Sequence, residues 1–167
     1  MTARKHPHIA SLEHTPREIS RRGKHHFKQT RLALAAGASQ LGVSHVELPP
    51  GKRSWPRHWH AANEEGIYVL SGRGVARIGD EAIEVGPGDY VACLTGPEHA
   101  HQMINTGDEP LKYLCISTMH ATDICGYPDS KKIGVFGGAA PGGQDEDRYI
   151  FGFMKADEYV GYWEGEE

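Results

Sequence analysis

The chain has 167 residues, 38% of them hydrophobic and 24% charged, which is enough for one ordinary domain with its own core. No apolar run approaches the ~18–20 residues that a membrane-spanning helix needs, and MTARKHPHIASLEH has no apolar stretch of signal-peptide length. Three cysteines without CxxC spacing (Cys93, Cys115, Cys125) argue against a disulfide scaffold and a zinc ribbon, so the expectation is a cytoplasmic protein without a membrane partner.

Residues 1–30 carry seven Lys/Arg against two Asp/Glu, while the rest of the chain is acidic and the net charge is −4. Five of the 11 histidines lie here (His6, His8, His14, His25, His26), irregularly spaced and without interleaved carboxylates or cysteines. The stretch has no aromatic platform and no recognition helix, so we expect a loose polar arm and no nucleic-acid partner. Arg31 to Val46 is apolar but broken by Gly37 and Gly42; Ala and Leu favour a short helix at its start, and residues 42–48 alternate as a strand.

From Pro49 the pattern is β. GIYVL (66–70), 75–78, 81–85, 90–94 and KYLCIS (112–117) read as strands of about five residues, separated by turns such as Gly79-Asp80 and Pro87-Gly88-Asp89. Short strands at this spacing imply an all-β sandwich or barrel. The high content of glycine (21) and proline (10) fits many turns. The division expected is an arm over 1–30, a barrel over 31–135 and an extension over 136–167. In that extension 137–147 is a loop by composition, and Tyr159, Tyr162 and Trp163 cover the barrel or a partner subunit.

Four histidines fall into two groups with carboxylates nearby. His58 and His60 are two apart, so on a strand both point to one face while Trp59 points to the other. Glu64 and Glu65 follow; being adjacent, only one of them reaches a site on the strand's inner face. His99 and His101 repeat the two-residue spacing. Histidines and a carboxylate can hold a divalent ion while leaving positions for water or substrate.

Gly51, His58-Trp59-His60, Glu65 and Gly72 resemble the first cupin motif. Gly88, Gly96, His101 and Asn105 resemble the second, with Leu94 where proline is usual. His99 fits the spacing from Gly96, but Met103 then stands at the Asn position; His101 fits Asn105 and is the favoured ligand. PPGKRSWPRHWHAANEEGIYVLSG, AHQMINTGDEPLKYLCIST, YPDSKKIGV and YWEGE resemble small bacterial single-domain cupins. The resemblance implies a double-stranded β-helix, or jelly roll, that forms a homodimer. It also implies a metal held by His58, His60, Glu65 and His101 near one mouth of the barrel. A nitrogen and oxygen set suits one divalent transition metal (Fe, Mn, Ni, Co or Zn). The expected partner is a small organic molecule, either turned over by a dioxygenase or an isomerase or lyase, or bound without turnover.

Overall fold

The computed structural model describes residues 6–166. Among these the chain forms thirteen strands and a single-turn helix, α1 (Leu32–Ala35). The strands are β1 (Glu18–Arg22), β2 (His25–Arg31), β3 (Leu41–Leu48), β4 (Trp59–His60), β5 (Glu65–Ser71), β6 (Gly74–Ile78) and β7 (Glu81–Val85), followed by β8 (Tyr90–Cys93), β9 (His101–Ile104), β10 (Leu111–Thr118), β11 (Asp123–Tyr127), β12 (Lys132–Gly137) and β13 (Ile150–Lys155). No helix among them is long and apolar enough to cross a membrane.

One sheet has the order β1-β2-β3-β10-β5-β8. The opposing layer consists of β7-β6-β9 and β13-β12-β11-β4. These two pieces are joined by the segment before β4, which runs antiparallel along β9: Ser54 N–H donates to Met103 O at 3.0 Å, and His101 N–H to His58 O at 2.8 Å. The core lies between the layers. Val46, Leu48, Val69, Leu111, Met103 and Tyr113 are at most 1% exposed. Val46 and Leu48, and likewise Leu111 and Tyr113, are two apart, so each strand buries one face. This is an all-β jelly-roll barrel.

Gly72 ends β5 at φ +82°, and a Cβ there would lie 2.6 Å from the Pro110 carbonyl oxygen. The turn therefore needs a residue without a side chain. Asn105 ties the far end of the barrel: its Nδ2 donates to Leu48 O (2.8 Å) and Glu109 O (2.9 Å), and its Oδ1 accepts from Gly107 N–H (2.9 Å). The asparagine of the second motif is thus a brace for the 105–110 turn.

Three expectations are corrected. The second half of the basic arm is not loose: β1 and β2 form a hairpin paired to β3. Mean polarity hid two buried positions, Phe27 and Thr30, which are 4% and 2% exposed. Phe27 packs on Trp55 with ring centroids 4.1 Å apart, and opposite charges fasten the hairpin through Lys28 and Glu47 at 2.9 Å. The tail is also more regular than its sequence implied, because β11, β12 and β13 form an antiparallel meander on β4. Within 137–147, Ala139, Ala140 and Gly143 are buried. Tyr159, Tyr162 and Trp163 do not cover the barrel; they are 75–85% exposed.

Candidate metal centre

β4 is only two residues long, yet it aims the site. Trp59 packs against Gly126 of β11, in the space that any side chain there would fill. With Trp59 fixed outward, the strand's alternation turns His58 and His60 inward. Glu65 enters from the first residue of β5 and His101 from the first residue of β9. The ligand atoms of His58, His60, Glu65 and His101 all lie within 4.8 Å of one another. His101 Nε2 is 2.9 Å and His60 Nε2 3.9 Å from Glu65 Oε2.

The outer nitrogens of the three rings are all engaged. His58 Nδ1 faces Pro56 O (2.8 Å), His101 Nδ1 faces His99 O (3.1 Å), and His60 Nδ1 faces Asp123 Oδ2 (2.7 Å). These partners can only accept, so each Nδ1 carries a proton, and each Nε2 is the nitrogen left to offer a lone pair to a cation in the cluster. His60 Nε2 is buried and has no hydrogen-bond partner. A buried nitrogen left without a partner in that position is a cost that a bound cation removes. Anchoring the second imidazole nitrogen is also how metal-ligating histidines are oriented. The residues present therefore fit a divalent transition metal.

Titrated by protons alone, the group divides its charge. Burial, reinforced by the charges of His101 and His60, pushes His58 down to about 3. Burial also opposes charge on His60, but hydrogen bonds to Asp123 and Cys125 and the Glu65 charge outweigh it and raise the ring to about 10. His101 is likewise raised to about 10, with Cys93 and Glu65 outweighing burial. For Glu65 burial acts upward, but the His101 hydrogen bond and the three imidazoles hold it at about 2. Without a cation the cluster is thus an anionic Glu65 carboxylate beside two protonated rings, His60 and His101, and a neutral His58, and a bound cation can take the place of the two ring protons.

The remaining sequence candidates lie elsewhere. The Glu64 side chain is exposed, and the His99 ring sits in a 3-10 turn, 3.7 Å from Glu98. His99 contributes through its carbonyl oxygen, the acceptor for His101 Nδ1. Arg57 pairs with Asp129 at 2.8 Å and donates to Gly79 O, which pins the 128–130 turn to the barrel.

The sequence reading missed Asp123, Cys125 and Tyr127. All three alternate along one face of β11. Asp123 orients His60 and is itself held by Asn63 Nδ2 (2.8 Å) and the Ala62 N–H (2.9 Å). Cys125 Sγ is 3.2 Å from His60 Nδ1, and the Tyr127 ring stacks on His58 at 5.9 Å. The period-two pattern Asp-x-Cys-x-Tyr was the available signal. The free thiols are also closer to the site than their apolar strands implied: Cys115 Sγ lies 3.8 Å from Glu65 Oε1, and Cys93 pairs across the sheet with Glu65.

The cupin domain family model matches residues 44–117, a span that holds all four clustered side chains. Residues 44–117 are a cupin domain. Over nearly the whole chain the cupin resembles two crystal structures. One is a candidate sugar phosphate isomerase of Acidithiobacillus ferrooxidans, with 25% identity, a TM-score of 0.76, and coverage of 96% of this chain and 94% of that one. The other is a cupin-superfamily sugar phosphate isomerase of Silicibacter pomeroyi, with 28% identity, a TM-score of 0.74, and coverage of 88% and 92%. An uncharacterised protein of Methanocaldococcus jannaschii is 40% identical over 60 residues, spanning 36% of this chain and 46% of that protein.

His58, His60 and Glu65 of the cluster line a cavity of about 380 Å³. Tyr127, Phe136, Phe151 and Phe153 supply its aromatic wall, and Gln29, Ser44 and Ser117 supply hydroxyl and amide groups. That volume and mixture suit a small polar organic molecule.

Proposed function

We propose that this cupin is a metal-dependent isomerase acting on a sugar phosphate. The observation that carries the reading is the convergence of His58, His60, Glu65 and His101, three of which (His58, His60 and Glu65) line a cavity with polar groups and aromatic rings. The two crystal structures of similar proteins bear that name for nearly full-length matches, which supports the substrate class. His58, His60, Glu65 and His101 would hold one divalent transition ion, which supplies Lewis-acid polarisation of a carbonyl and its neighbouring hydroxyl. The chain's own part is positional. The Nδ1 anchors fix each imidazole, the barrel core behind Glu65 excludes water, and the aromatic wall with Gln29 and Ser44 orients the sugar. Protein loaded in turn with Mn, Fe, Co, Ni and Zn, incubated with paired aldose and ketose phosphates and followed by NMR, should interconvert one pair. No interconversion with any metal overturns turnover. Oxygen uptake no greater than in the chelated control is expected, and uptake above it would favour a dioxygenase.

Binding without turnover is the second reading. It is favoured by the shortage of a free general base: among the carboxylates lining the cavity, Glu65 belongs to the ligand cluster, while Glu18 and Asp145 pair with arginines. A sugar phosphate that copurifies and is released unchanged would support it.

A homodimer belongs to the same proposal. β13 is an edge strand whose Ile150, Phe151, Phe153 and Met154 are 46–56% exposed, and open apolar edges call for cover. Light scattering should give the mass of two chains, and one chain at all concentrations would overturn it.

A further inference from the structure

We propose that Arg31 and Arg148 form an anion subsite in the cavity of the metal centre and that it takes the phosphate monoester of the substrate. This deepens the sugar phosphate reading and rests on it. The two arginines lie far apart in the sequence, in β2 and just before β13, yet both line the cavity that His58, His60 and Glu65 also line.

Arg148 is built in. Its side chain is 6% exposed and its guanidinium lies 5.3 Å from the Phe136 ring and 5.1 Å from the Phe151 ring. Nη2 donates to Ala140 O (2.9 Å) and Pro141 O (2.8 Å), and Nη1 pairs with Asp145. Its Nε is buried with no hydrogen-bond partner. Arg31 grips the same loop from the other side, through Nη1 to Gly143 O at 3.1 Å, and pairs with Glu18 at 2.6 Å. An arginine has five N–H donors, and these contacts leave donors on both guanidinia uncommitted.

The carboxylates opposite them do not close the site. The Asp145 side chain is 88% exposed and that of Glu18 is 54% exposed. An exposed carboxylate gains little from its ion pair and can turn to water at small cost, whereas Arg148 is held by carbonyl oxygens and aromatic faces whatever Asp145 does. Two preorganised, partly desolvated forks suit a phosphate dianion with three equivalent oxygens. Anchoring the phosphate at this end of the cavity would leave the sugar hydroxyls to the metal end.

The test measures binding of inorganic phosphate, a hexose 6-phosphate and the unphosphorylated hexose to the full chain by calorimetry, with and without chelation of metal. Phosphate should bind in both states, and the hexose phosphate should bind at least tenfold more tightly than the hexose. Arg31→Gln and Arg148→Gln should each weaken phosphate binding by tenfold or more at unchanged metal content, while Arg148→Lys, which keeps the charge, should lose less. Thermal midpoints establish that each variant is folded, and Arg31→Gln alone decides the matter if Arg148→Gln is not. Unchanged phosphate affinity in the arginine variants would overturn the subsite, as would equal affinity for hexose and hexose phosphate. Loss of phosphate binding on chelation or in His58→Ala/His60→Ala, with none in the arginine variants, would place the anion on the metal and overturn it as well. If isomerisation fails while arginine-dependent phosphate binding persists, the reaction is wrong and the subsite stands.

Discussion

His60 Nδ1 and Asp123 Oδ2 lie 2.7 Å apart, both buried, although the two residues are separated by 63 positions in the chain. The carboxylate accepts the hydrogen bond from Nδ1–H and so leaves Nε2 to offer its lone pair to a cation in the cavity. Replacing Asp123 by Asn keeps the shape and removes the charge. We expect Asp123→Asn to weaken metal binding by about 10–100-fold, measured by competition with a chromogenic chelator. Affinity within twofold of the wild type would mean that Asp123 does not set the ring's orientation.

The ligand set separates cleanly by mutation. Elemental analysis should find one transition metal per chain, lost in His58→Ala/His60→Ala and in His101→Ala. His99→Ala and Glu64→Gln should retain it, because the His99 ring and the Glu64 side chain lie outside the cluster. Full metal content in the double variant would refute the assignment.

Gly72→Ala tests the turn that follows β5. A φ of +82° is costly for an L-residue, and the added Cβ would meet Pro110 O at 2.6 Å. We expect a loss of about 2 kcal/mol or more, read as a lowered denaturant midpoint with unchanged slope. A change below about 0.5 kcal/mol would show that the 110–111 segment moves aside freely.

The docked hairpin should respond to acid. The Lys28 hydrogen bond, assisted by nearby cations, outweighs burial and holds the Glu47 carboxyl below its usual range. A depressed folded-state pKa gives stability that is present above the unfolded value of 4.5 and is lost as pH falls through the folded value. Wild type should therefore be more stable than Lys28→Met at pH 6, with the gap narrowing below pH 4.5. A gap independent of pH would show that Lys28 acts through packing alone.

Much of the barrel is legible in the sequence because strand alternation is local. Leu41–Leu48, Tyr90–Cys93 and Leu111–Thr118 bury alternate residues along part of their length as their patterns imply, and His58-Trp59-His60 points its two rings one way for the same reason. β2 was obscured because only Phe27 and Thr30 are fully buried, three apart rather than alternating, in a stretch of otherwise polar residues. β11 was obscured because its inward face carries Asp123, Cys125 and Tyr127 rather than aliphatic residues: it faces the site, not the core.

The sequence by itself determined an all-β chain, its turns, and a cluster of candidate ligands with the spacing of a cupin metal site. Those features depend on neighbours within a few residues, where the period of two and the rules of glycine conformation act. Only the tertiary structure decided which histidine nitrogens face inward, that Asp123 orients His60, and that Arg31 and Arg148 share a cavity with the ligands. Those relationships arise where β4 pairs with β11 and where the 138–143 loop is held between β2 and the start of β13. Pairing across such distances is set by the closure of the whole barrel rather than by any local pattern.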